Sequence, residues 1–244
     1  MNYLTAYDWQ QSDKGNVCSL ILEQVRFQKG HTVVFACICE EERNPLVKGQ
    51  HSPATGWNIP GTTGTAGAGA YLTECLRSWF FDSALPLSTR PGEGKLHALG
   101  RSLRRSLCRA ERELGREDTL IGGVFCVNNL FFVFSKRQQL MLINTRFGRP
   151  NCNILPSESS LFLQYGRLQN KTGILLMSQS FLEHMDMPLL KGCLMVEEMN
   201  EKEQLQRHLR ELCRERQEKG IENLTAVLVM GMEGEEADGA EDKG

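Results

Sequence analysis

Cysteine, histidine, glycine and arginine are the residue types whose spacing in this chain bears on chemistry. Nine cysteines and five histidines could in principle hold a metal or supply a nucleophile. Cys37-Ile38-Cys39 is the one close cysteine pair, and a zinc site would need a second pair or histidines at ligand spacing. His31, His51, His97, His184 and His208 form no such cluster. No His-Cys pair opens a Cys-x5-Arg loop, so cysteine-based phosphate transfer has no motif here. The cysteines sit singly in apolar or helix-like stretches, a pattern that suits reduced core thiols better than a disulfide framework. The stretch Gly61-Thr62-Thr63-Gly64-Thr65-Ala66-Gly67-Ala68-Gly69 invites comparison with a phosphate loop, but it lacks the Gly-Lys-Ser/Thr ending and follows no strand. It reads better as a flexible lead into a helix capped by Thr63 or Thr65. Arg101, Arg104, Arg105, Arg109 and Arg112 leave two readings open: a solvated helix face, or a patch for an anion or acidic partner.

Composition narrows the partners. The formal net charge is -2 and the sequence pI about 6.2, which recommends neither nucleic acid nor an anionic membrane. Apolar runs such as Leu130 to Phe134 and Ile174 to Met177 fall far short of the ~20 residues of a membrane-spanning helix. The N-terminal residues have neither a basic start nor an apolar signal core, so a cytoplasmic location is expected. A length of 244 residues suits one sizeable core, expected over residues 1–232. Residues 233–244 are acidic and poor in apolar side chains, which predicts a disordered tail.

The elements that must position any site follow from periodicity. Val17 to Val25 and His31 to Cys39 read as a β-hairpin turning through Phe27-Gln28-Lys29-Gly30, and Glu40 to Ala66 as a long loop. Two amphipathic helices are predicted over Ala68–Ser83 and about Lys95–Leu114, the second with its apolar stripe at Leu96, Leu99, Leu103, Leu107 and Leu114. Strands follow at Leu120–Asn128, Leu130–Ser135, Gln139–Asn144, Leu161–Tyr165 and Gly173–Ser178, with a hairpin turn at Asn128-Asn129. A short helix from about Ser180, a helix over Glu201–Lys219 capped by Gly220, and a last strand at Thr225–Met230 complete the pattern. Runs of strands and runs of helices favour an α+β fold with sheets packed face to face.

Two segments stand out in the last third: Leu175-Leu176-Met177-Ser178-Gln179-Ser180-Phe181, and Glu222-Asn223-Leu224-Thr225-Ala226-Val227-Leu228-Val229. Each is a strand-like run beside a short polar turn. Together they resemble the C-terminal signatures of the metal-dependent, type-2C (PPM-type) protein serine/threonine phosphatases, in which an apolar strand runs into Ser-Asp-Gly and Asp-Asn-hydrophobic-Thr opens the final strand. Asp13-Lys14-Gly15-Asn16-Val17 resembles the family's opening strand, and Val33 to Glu40 the strand that ends in Asp-Gly-x-Gly-Gly, with that aspartate falling on Cys39 or Glu40. Lys136-Arg137-Gln138-Gln139 stands where the family has Gly-Asp-Ser-Arg. The resemblance implies a four-layer α-β-β-α sandwich.

It also implies a degenerate site. Gln179 and Glu222 stand where the family has metal-binding aspartates, Arg137 replaces another, and Asn223 keeps the turn. The family's chemistry requires two divalent cations about 4 Å apart, which repel strongly unless several carboxylates neutralise them. Glu222 and Glu40 are the candidate metal ligands. The resemblance therefore implies a protein with no catalytic residues and no expected cofactor, acting as a binding or regulatory module on a kinase or phosphoprotein in protein phosphorylation signalling. The alternative is a divergent phosphatase in which Glu40, Glu41, Glu42 and Glu222 rebuild a site for Mn2+ or Mg2+.

Overall fold

Strands buried on both faces read as nearly unbroken apolar runs, and two such runs build the centre of this molecule. Val33 to Cys39 in β3 (Thr32–Glu41) and Ile121 to Val127 in β4 (Thr119–Val127) are buried throughout. In the computed structural model, the described residues are 2–9, 18–27, 30–41, 68–89, 92–115, 119–146, 149–193, 202–221 and 224–232.

Among them, β3 and β4 sit in a five-stranded antiparallel sheet with β2 (Ser19–Arg26), β5 (Leu130–Lys136) and β8 (Phe162–Arg167), in the order β2-β3-β4-β5-β8. A second antiparallel sheet has the order β1-β10-β9-β6-β7, comprising β1 (Asn2–Trp9), β10 (Thr225–Met232), β9 (Gly173–Met177), β6 (Leu140–Arg146) and β7 (Arg149–Leu155). The β2–β3 hairpin turns at Gly30, whose φ of +82° suits glycine. The β4–β5 hairpin turns in two residues at Asn128-Asn129, with Asn128 at φ +54°.

The sheets stack face to face. Val34, Ala36, Ile38 and Val124 of the first meet Leu140, Ile174, Leu176, Val227 and Val229 of the second. Helix α1 (Ala68–Trp79) continues through a π-helical segment, Phe80–Ala84, into the single turn α2 (Leu85–Leu87); it packs with α3 (Glu93–Leu114) on the outer face of the first sheet. There Phe35 stacks on Phe80 at 5.3 Å between ring centroids. On the other side, α4 (Gln179–His184), α5 (Met187–Cys193) and α6 (Lys202–Gln217) cover the second sheet, α6 through Leu205, Leu209 and Leu212. The result is the expected four-layer α-β-β-α sandwich.

Local signals placed the helices well. Leu96, Leu99, Leu103 and Leu107 of α3 are buried at three- and four-residue intervals, and Gly115 ends the helix at φ +63°. Gly220, at φ +79°, follows α6 and donates its N–H to the Gln217 carbonyl.

Three elements depart from the sequence reading. The opening strand is β1, paired along its length with β10, whereas Asp13–Val17 lies outside the described residues. Polar Asn2, Thr5 and Asp8 hide β1 from a propensity argument; its pairing with β10 creates it. Strand β7 carries Pro150, Asn151 and Asn153, which a sheet tolerates at an edge. The short α5 was likewise not foreseen. Of the expected loop from Glu40 to Ala66, Glu40 and Glu41 instead extend β3 by pairing with Leu120 and Thr119; residues 42–67 and the acidic tail lie outside the described residues. No helix among the described residues is long and apolar enough to cross a membrane.

Candidate functional site

Alternation along β3 sorts its side chains between two environments. Cys37 and Cys39 point into the core beneath the helices and are fully buried, while Ala36 and Ile38 face the other sheet. Parity therefore turns Glu40 toward the inter-sheet space, at the end where the apolar contact stops. The opposing sheet presents the β9–α4 junction there. Ser178 caps α4 by accepting the Phe181 N–H at 3.2 Å, and the same hydroxyl oxygen accepts the Thr225 N–H at 3.0 Å. The Ser178 N–H donates to the Thr225 carbonyl at 2.8 Å. One serine thus locks the start of α4 to the start of β10.

The Gln179 N–H donates to both carboxylate oxygens of Glu40, at 3.0 and 3.2 Å. A second donor comes from the β5–β6 crossover. Gln138 is buried to 1% exposure, and its Nε2 donates to the Met177 carbonyl and, at 3.4 Å, to Glu40 Oε1. Burial pushes the Glu40 carboxyl up to about 7, against the opposing pull of the Gln179 and Gln138 hydrogen bonds, with Glu183 raising it further. Burial also raises the Cys18 and Cys37 thiols well above their ordinary range, so neither supplies a thiolate. Cys37 Sγ lies 3.7 Å from Cys39 Sγ.

The structure brings Glu40 and Gln179 together: Glu40 faces the opposing sheet and Cys39 the helix-side core. Arg137 stands beside this site on the exposed surface at φ +58°, its N–H donating to the Glu158 carbonyl at 2.7 Å. Its neighbour Gln138 is the crossover residue that hydrogen-bonds Glu40. Glu222 and Asn223 lie outside the described residues, though Thr225, just beyond them, is held against Ser178. Sequence reasoning missed Gln138, since nothing local marks a glutamine between two strands as buried. Ser178 had a legible signal as the N-cap of a short helix.

Two divalent cations would make a specific demand on this donor set. Cations need oxygen lone pairs turned toward them. Here the groups aimed at Glu40 are N–H donors, and the Gln179 side chain donates its own Nε2 to Glu183 at 2.8 Å. No group of three or more His, Cys, Asp or Glu among the described residues could hold a metal ion. The described residues do not fit a dinuclear centre.

No protein-family model and no curated protein matches the sequence. Solved structures do match the fold. The phosphatase domain of the cell fate determinant SpoIIE from Bacillus subtilis superposes with a TM-score of 0.55 and 9% identity, covering 98% of this chain and 96% of that one. The serine/threonine phosphatase Stp1 from Staphylococcus aureus gives 0.60 and 11%, with 96% of each chain covered. PppA, a key regulatory component of T6SS in Pseudomonas aeruginosa, gives 0.56 and 15%, covering 94% of this chain and 98% of its own. This chain has the fold of the PPM-type serine/threonine phosphatases. At such identities the likeness extends to the backbone, and the chemistry rests on the side chains described above.

Proposed function

We propose that this protein is a PPM-fold binding or regulatory module of protein phosphorylation signalling in the cytoplasm, without hydrolytic activity, whose partner is a kinase or phosphoprotein. One observation carries the reading: both oxygens of Glu40 are engaged by the Gln179 main-chain N–H, and Gln138 adds a side-chain donor. A carboxylate held this way links two sheets instead of cradling a cation. The alternative, a divergent phosphatase, requires Glu40, Glu41, Glu42 and Glu222 to rebuild a Mn2+ or Mg2+ site.

Calorimetric titration with Mn2+ and hydrolysis of an aryl phosphate on the same sample separate the two. No binding heat, background turnover and an unchanged melting temperature in millimolar Mn2+ are expected, because only a ligand of the native state raises stability, by RT ln(1 + [L]/Kd). A rise of several degrees at ~1 mM Mn2+, with turnover lost on chelation, would overturn the reading.

A further inference from the structure

The outer surface of α3 carries a row of exposed arginines. Arg101, Arg104, Arg105, Arg109 and Arg112 are all exposed on it. The acids of the same helix neutralise only one of these arginines, Arg109. Glu93 pairs with Arg167 at 2.6 Å, Glu111 with the buried Lys136 at 2.6 Å, and Glu113 with Arg109 at 2.8 Å and the Tyr71 hydroxyl at 2.5 Å. Arg104 donates one N–H to the Leu161 carbonyl, which leaves its charge uncompensated. Arg101, Arg105 and Arg112 have no acidic partner among the described residues. Four unneutralised guanidinium groups therefore lie along residues 101–112, a rise of roughly 17 Å at ~1.5 Å per residue.

Beside this ridge runs a groove of about 610 Å³ between α1 and α3. Trp79 and Ala110 form apolar floor, Ser102 and Ser106 offer hydroxyls, and the α3 wall carries Arg105 together with Arg109 and its partner Glu113. On the α1 wall Glu74 is paired with Arg77 at 2.6 Å, and Asp82 adds one negative charge. We propose that the α3 arginine ridge and the adjoining α1–α3 groove dock an acidic segment of a protein partner, its carboxylates on the ridge and an apolar side chain in the groove. Planar guanidinium groups suit bidentate recognition of carboxylates. The groove favours a peptide over an anionic lipid surface, because a flat bilayer meets the ridge but has nothing to place in a concavity.

The proposal rests on the reading of the chain as a binding module, and it has its own readout: peptide affinity tests the ridge, whereas metal binding and hydrolysis test that reading. The probe is a fluorescein-labelled, glutamate-rich octapeptide with a central leucine, followed by anisotropy. Binding that weakens between about 50 and 300 mM salt is expected, and Arg101→Glu/Arg105→Glu should weaken it about tenfold or more. Ser106→Trp, which fills the groove and leaves the arginines intact, should weaken it about fivefold. Arg101→Gln/Arg105→Gln replaces the reversal if melting shows the latter misfolded. An affinity unchanged within about twofold in the arginine variants overturns the proposal. So does binding to phosphatidylserine vesicles without binding to the peptide, which would make the ridge a membrane surface.

Discussion

Glu40, near the end of β3, accepts the main-chain N–H of Gln179, the first residue of α4, through both carboxylate oxygens, although 139 residues separate the two. This contact joins the two sheets at the end where their apolar packing stops, and it places a half-buried carboxylate among N–H donors. Its protonation is linked to stability.

The Glu40 carboxyl is raised to about 7 from an ordinary 4.5, chiefly by burial. A folded-state pKa above the unfolded value means that the folded chain binds more protons between these limits. The contribution is therefore fully present below about 4.5 and is lost as pH rises through about 7. Glu40→Gln keeps an acceptor oxygen and removes the charge. Urea melts at pH 4.5 and pH 8 should show little change at the lower pH and a gain on the order of 2 kcal/mol at the higher, allowing for residual solvent screening.

Ser178→Ala removes one hydroxyl that serves two backbone donors, the N–H groups of Phe181 and Thr225, both buried. Loss of the cap and an unsatisfied strand N–H should together cost about 2 kcal/mol in a denaturant melt. Amide exchange should show faster opening at Thr225.

Lys136 and Glu111 form an ion pair whose side chains are 10% and 13% exposed. Removing one partner strands a buried charge, so Lys136→Met should destabilise by about 3 kcal/mol. Lys136→Met/Glu111→Leu should recover most of that loss, and a double-mutant cycle of melts measures the recovery.

Gly123 in β4 has no room for a side chain: a Cβ there would collide with the Phe134 ring and lie 2.7 Å from the Ala36 carbonyl oxygen. The carbonyl belongs to β3 and cannot swing away. Gly123→Ala should cost about 2–3 kcal/mol, read as a lowered melting temperature.

How much of this was legible in advance varies with the range of the forces involved. Gly30, Asn128-Asn129 and Gly220 marked their turns because positive φ is a property of one residue and its immediate neighbours. The stripes of α3 and α6 marked helices because a buried face repeats every three or four residues. The order of these elements, with the Ser178-Gln179 turn, pointed to the layered fold. Sequence also singled out Glu40 and Gln179, which stand at the ends of strands and meet in the structure.

Tertiary structure decided what those residues do. Whether the Glu40 carboxylate meets oxygen ligands or N–H donors depends on how one sheet stacks on the other. No periodicity within either sheet encodes that relation. Gln138 is buried because the β5–β6 connection crosses from sheet to sheet beneath Met177, and β1 and β7 are strands because β10 and β6 offer them hydrogen bonds. Propensity acts over a turn or two of chain. These contacts join residues far apart in sequence, so they exist only once the layers have closed.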